Sequence, residues 1–221
     1  IHYVTISLVA SALFLIGLGM IYGSVGSLNM TDVARLVPTL DNDQHKLAIA
    51  VGLLLFVVFG IKAAMLPVGF WLPKTYAVAS TPVAAIFTLM TKVGIYAILR
   101  VNGTVFDDAF AHEILKSSLL VIGLVTSIYG VIGAIAAERL RRFVGFMVLS
   151  SVGTLLLAIA MMNTLAWAAA LYYLIHSTLI AAAFYLFCGW MTFQRGVFKD
   201  HLKVAPRIKQ QKSAALTYFI I

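Results

Sequence analysis

Two lysines and a histidine stand in runs that are otherwise apolar. Lys62 sits in FGIKAAMLP, Lys92 in TLMTKVGIY and His176 in LYYLIHSTL. Hydroxyls accompany them: Thr88 and Thr91 beside Lys92, Ser177 and Thr178 after His176, and Ser150 and Ser151 in a third run. A lysine near a bilayer midplane costs about 3 kcal/mol or more, so such residues mark ion or proton paths. Burial disfavours an ammonium and a nearby carboxylate favours it, so a lysine between the two can hold or release a proton. Imidazole titrates near neutral pH and can relay a proton through both nitrogens. The chemistry this set suggests is proton transfer along Lys62, Lys92 and His176, with the hydroxyls as support. A plainer reading stands beside it. Lys62 can snorkel from a helix end, Lys92 can be satisfied by nearby carbonyls and hydroxyls, His176 can be a bonded core residue, and the hydroxyls can serve packing.

The elements that hold these residues follow from composition. The chain has 221 residues, is 62% hydrophobic and only 11% charged, with a mean hydropathy of +1.01. That much apolar surface cannot be hidden in a soluble domain of this length, so the chain reads as polytopic and all-α in the membrane. Six complete spans are predicted, near Tyr3–Tyr22, Leu47–Pro73, Pro82–Leu99, Leu115–Ala137, Phe143–Met162 and Leu165–Met191. The start of a seventh is predicted from Ala214, and a short helix over TDVARLV capped by Asn29 or Thr31. Pro67 lacks an amide hydrogen and its ring clashes with the carbonyl of Ala63, which predicts a helix broken just after Lys62. Such a break is tolerated in a membrane only where protein or a wet cavity surrounds it. Starting at Ile1 and ending in ALTYFII, the chain reads as a piece of a longer membrane protein forming a single transmembrane domain.

The net charge of +8 does not point to nucleic acid. The bases crowd the loops after spans two, four and six, at Lys74, at Arg139, Arg141 and Arg142, and along 195–212. The opposite loops carry Asp32, Asp41, Asp43, Asp107, Asp108 and Glu113. The basic side is therefore expected to be cytoplasmic, in a cell inner (plasma) membrane. The three arginines are expected to meet headgroups, and Trp71, Trp167 and Trp190 to act as interfacial anchors. The single Cys188 allows no internal disulfide. No nucleotide loop, nucleophile elbow or metal-ligand spacing is present, so no cofactor or metal is expected.

Several of these stretches resemble a known family. Phe59–Arg100 carries Lys62 before Pro67, FWLP at 70–73, TPV at 81–83, and Lys92 followed by Gly94 and Tyr96. RRFVGFMVLSSVG at 141–153 and LYYLIHSTLIAAAFYLFCG at 171–189 carry two further signatures. Together they resemble the proton-antiporter family, which includes the antiporter-like subunits of respiratory complex I and the large subunits of Mrp-type cation/proton antiporters. The resemblance implies a larger protein of about fourteen helices with two inverted repeats, each holding a broken helix. It implies that Lys62 is the lysine of the first broken helix, Lys92 the linking lysine, and His176 the histidine between half-channels. The glutamate partner of Lys62 would precede Ile1.

Two departures refine the resemblance. Complex I subunits usually carry a histidine two residues before the FWLP tryptophan, where this chain has Gly69. Many also carry a lysine where Ile180 to Ala183 are apolar here. Both features resemble the D-type membrane subunits of Mrp antiporters more closely. The implied function is proton translocation in a multisubunit Na+ or K+/H+ antiporter, with other membrane subunits, protons, the cation and the lipid bilayer as partners. The alternative is a proton-pumping subunit of NADH:quinone oxidoreductase. A purely structural scaffold is the third reading.

Overall fold

A computed structural model of the chain describes residues 2–104, 109–195, 200–202 and 217. Among these, eight α-helices follow one another and no strand forms. They are α1 (His2–Val25), α2 (Met30–Leu36), α3 (Asn42–Ala63), α4 (Trp71–Val78), α5 (Thr81–Thr104), α6 (Ala109–Ile135), α7 (Leu140–Ala160) and α8 (Thr164–Arg195). Among the described residues six spans are long and apolar enough to cross a membrane, counting α3 and α4 as one broken span over Asn42–Val78. The all-α transmembrane reading holds. The expected acidic loop at Asp107 and Asp108, most of the basic run 195–212 and the seventh span from Ala214 lie outside the described residues.

The short helix α2 is capped by Asn29, whose side chain accepts from the Thr31 N–H at 3.0 Å. This satisfies one of the orphan donors of its first turn. The α-helix ends at Leu36, and a 3-10 turn over Val37–Thr39 carries the chain past Pro38.

The break falls where Pro67 demands it, but the helix yields earlier than the proline. Helix α3 ends at Ala63, one residue after Lys62, and Ala64 turns into the left-handed region at φ 59°. The Met65 N–H returns to the Gly60 carbonyl at 3.0 Å and the Ala64 N–H to Ile61 at 3.2 Å, which closes the last turn. A cis peptide joins Leu66 to Pro67. A 3-10 turn over Val68–Phe70 then restarts the helix as α4. Pro73, expected to end the span, lies instead in the first turn of α4, where its missing N–H has no helical partner to lose. Lys62 is therefore near the middle of a 37-residue broken span.

Packing runs from helix to helix. Helix α1 lies on α3, α3 on α5, and α5 on α8, while α6 and α7 form a tight hairpin whose α7 also meets α4 and α8. The α6–α7 seam depends on missing side chains. A Cβ on Gly153 would overlap the Ser127 nitrogen and lie 2.6 Å from the Gly123 carbonyl oxygen. Small residues at such a seam let backbones approach where lipid provides no hydrophobic drive. The outer faces of α1, α6 and α8 present large apolar side chains such as Leu8, Leu15, Val121 and Leu179.

The substitution Gly153→Val should force the hairpin apart and cost about 1–3 kcal/mol. Thermal unfolding of the purified protein in detergent measures it. An unchanged midpoint would show that the seam does not need the glycine.

Candidate functional site

Lys62 occupies the last turn of α3 and is half-buried. Its ammonium donates to the Ser7 hydroxyl of α1 at 2.9 Å and lies 3.5 Å from the Ser11 hydroxyl. Ser11 in turn donates to the Ser7 carbonyl at 2.8 Å. In sequence the two serines read as packing residues, because only their small size is visible there. Their spacing of one helical turn gives Lys62 two acceptors on one face. A groove of about 530 Å³ opens beside Lys62, lined also by Phe14, Phe59, Met90 and Gly94. A cavity of about 10 Å³ that Lys62 also lines, bounded by Ser7, Trp71 and Met90, is at the size limit for one water.

Lys92 is placed differently. It is 1% exposed, at the centre of α5. Its ammonium donates to the hydroxyl of Ser151 on α7, and Ser151 donates onward to the Val148 carbonyl at 2.8 Å. Thr88 and Thr91 are also fully buried, but their hydroxyls donate to the Ala85 and Thr88 carbonyls of their own helix. The bonded partner of Lys92 thus comes from a helix 59 residues away and not from its neighbours in sequence. Among the described residues neither lysine pairs with a carboxylate.

Ser151 also faces a cavity of about 640 Å³ between α7 and α8. His176, Ser177 and Tyr173 line the same cavity, and Leu140 and Leu202 close its basic end. His176 is exposed and stacks on Tyr172 with ring centroids 6.3 Å apart. It is not a buried, bonded core residue. Ser177 and Thr178 donate to the Leu174 carbonyl at 3.3 Å and 2.6 Å. Ser150 serves the seam, its backbone pressed against Gly130. The fold therefore gathers Ser151, Ser177 and His176 around one space, with Lys92 enclosed behind Ser151. Lys62 stands apart with α1. Between the two lysines runs the α3–α5 seam, where a Cβ on Gly94 would lie 2.8 Å from the Ala63 nitrogen and 3.0 Å from the Phe59 carbonyl oxygen.

Two expectations are corrected at the basic end. Arg141 does not reach for headgroups. One of its terminal nitrogens donates to the Ala79 carbonyl at 2.9 Å and the other to the Thr81 hydroxyl. It thereby satisfies an orphan carbonyl at the end of α4 and ties the elbow between α4 and α5 to α7. Trp71 is not an interfacial anchor. It is 7% exposed, because the break turns it inward against Tyr3, at 5.1 Å between ring centroids, and Tyr76, at 6.2 Å.

Gly69 also has a structural reason. A Cβ there would overlap the Ala64 carbonyl oxygen and lie 2.9 Å from its carbon, because the chain doubles back on itself at the break. No side chain fits at that position in this conformation.

Residues 1–213 match the family model described as NADH:quinone oxidoreductase/Mrp antiporter, TM. The chain belongs to that family. Among curated proteins, a probable K(+)/H(+) antiporter subunit of the D type from Rhizobium meliloti (strain 1021) is 42% identical over 92% of the chain and 38% of its own length. The D-type Na(+)/H(+) antiporter subunit of Bacillus subtilis (strain 168) is 34% identical over 100% of the chain and 44% of its own length. The chain thus spans about two fifths of the antiporter-family relatives it matches. Among solved structures, the Mrp complex from Dietzia sp. DQ12-45-1b superposes with a TM-score of 0.77 at 31% identity, covering 88% of this chain and 35% of that one. Respiratory complex I from Thermus thermophilus with bound NADH gives 0.74 at 22% identity, covering 89% and 43%, a likeness of fold.

Removing the partner of a buried ammonium leaves it unsatisfied, whereas removing both groups does not. Ser151→Ala should therefore lower stability by about 1–3 kcal/mol, and adding Lys92→Met should restore much of it. Thermal unfolding of the two variants measures this. Losses that simply add would show that the pair is not coupled.

Proposed function

We propose that this chain is part of the proton-translocating membrane subunit of a multisubunit Na+ or K+/H+ antiporter, with Lys62, Lys92 and His176 as its proton carriers. The observation that carries the reading is Lys92. A lysine enclosed at mid-span, with a serine hydroxyl as its bonded partner, is costly to keep for packing alone. Its partner Ser151 opens onto the cavity that His176 lines, which supports transfer between them. Thr88 and Thr91 keep the helix around Lys92 free of unpaired hydroxyls, and Ser177 and Thr178 do the same beside His176.

The step between Lys62 and Lys92 crosses the tightly packed α3–α5 seam at Gly94. Movement of that seam is the gate in this reading. The carboxylate that pairs with Lys62 comes from outside the described residues, through the groove that opens beside it. The basic loops face the cytoplasm of a cell whose inner membrane holds the complex. Other membrane subunits complete the assembly, and the chain covers parts of two inverted repeats.

The complex I reading shares this relay and would drive it by quinone reduction. The relatives at 34–42% identity are named as antiporter subunits of the D type, which favours the antiporter reading. The polypeptides that co-purify decide between them: small antiporter subunits on one reading, flavin and iron–sulfur subunits on the other.

The direct test is cation-driven proton movement by the full-length complex in proteoliposomes. Lys62→Ala and Lys92→Ala should each lower the rate tenfold or more, a barrier change of about 1.4 kcal/mol or more. Wild-type rates in both variants would rule out the relay and leave the lysines as structural cations.

A further inference from the structure

At the backbone break the Leu66 N–H is met by a side chain of another helix. The Leu66 N–H donates to the Thr126 hydroxyl oxygen of α6 at 3.1 Å, across 60 residues of sequence. Leu66 is 6% exposed and Thr126 is 0% exposed, so no solvent competes for this donor. Thr126 is also held firmly itself. Its neighbour Ser127 presents the backbone nitrogen against which Gly153 is pressed, so this part of α6 cannot slide on α7. The break is thereby referenced to the α6–α7 hairpin four residues after Lys62.

We infer that Thr126 is a positioning residue for Lys62. It fixes where the last turn of α3 unwinds, and so fixes the ammonium against the hydroxyls of Ser7 and Ser11. A hydroxyl at position 126 is the requirement. Serine supplies the same acceptor, valine keeps the shape without it, and alanine removes both. Loss of the acceptor leaves a buried N–H unpaired, and the turn relaxes to find another partner. Displacement of a transfer group by about 1 Å can cost a hundredfold in rate.

The inference rests on the reading of Lys62 as a proton carrier, so the experiment includes Lys62→Ala. The full-length complex is reconstituted in proteoliposomes, and proton movement is followed from acid to alkaline pH for wild type, Thr126→Ser, Thr126→Val and Thr126→Ala. Rates are normalised to assembled complex. Hydrogen–deuterium exchange of the 61–70 peptide is measured on the same preparations.

The expected result is near-wild-type behaviour for Thr126→Ser. Thr126→Val should lose about tenfold or more in rate, with a displaced pH profile and faster exchange at 61–70. Thr126→Ala, which introduces no new bulk, gives the same answer where the valine variant does not assemble. Wild-type rate and exchange in the valine or alanine variant, with Lys62→Ala inactive, would overturn the positioning role alone. A uniform loss at every pH that serine does not rescue would also overturn it. Wild-type rate in Lys62→Ala would instead overturn the carrier reading beneath it.

Discussion

A hydrocarbon interior offers no hydrogen bonds, so every peptide group crossing it must find a partner within the protein. That constraint explains more of this chain than any single side chain does. The span over Asn42–Val78 is interrupted at its middle, and the freed groups must be answered locally. At the left-handed Ala64, two N–H groups return to the last turn of α3. Thr126 takes the Leu66 N–H, and Arg141 takes the carbonyl of Ala79 where α4 ends. The α6–α7 hairpin supplies both side chains. Its glycine seam holds the hairpin together, since at Gly130 and Gly153 backbone meets backbone.

The two lysines show two ways of keeping a cation in such an interior. Lys62 is half-buried, faces two serines one turn apart and borders an open groove. Lys92 is enclosed and depends on one hydroxyl from a neighbouring helix. The difference follows from their elements. Lys62 ends a helix at a break, where space is left over, while Lys92 lies mid-helix in a continuous span. The enclosed lysine is the one whose hydroxyl partner opens onto the large cavity. His176, exposed on α8, lines that cavity as well.

Much of this is legible in the sequence, for physical reasons. Span count follows from runs of apolar residues, which composition alone reveals. The break is legible because proline carries no amide hydrogen, though its placement at Ala63 and Ala64 is not. That placement depends on which residue can take the left-handed turn once α6 is present. The polar residues are legible as types and not as pairs. Ser7 and Ser11 look like packing residues because only their size is written in the sequence. Thr126 is silent for the same reason, as a lone hydroxyl in an apolar run. Arg141 looks like one of three surface bases, and only the fold shows that it turns inward to the elbow at 79–81. Trp71 looks like an anchor because it follows an apolar run, and the break turns it toward Tyr3 and Tyr76. Pairing across 59 or 60 residues is a property of the fold and leaves no local trace.

The crowding at Gly69 limits what the turn can accept. The Ala64 carbonyl occupies the room that any side chain at 69 would need. No side chain, large or small, can be accepted at 69 while the turn keeps its present winding. The glycine at 69 and the threonine that takes the Leu66 N–H thus serve the same turn, one by leaving room for it and the other by anchoring it.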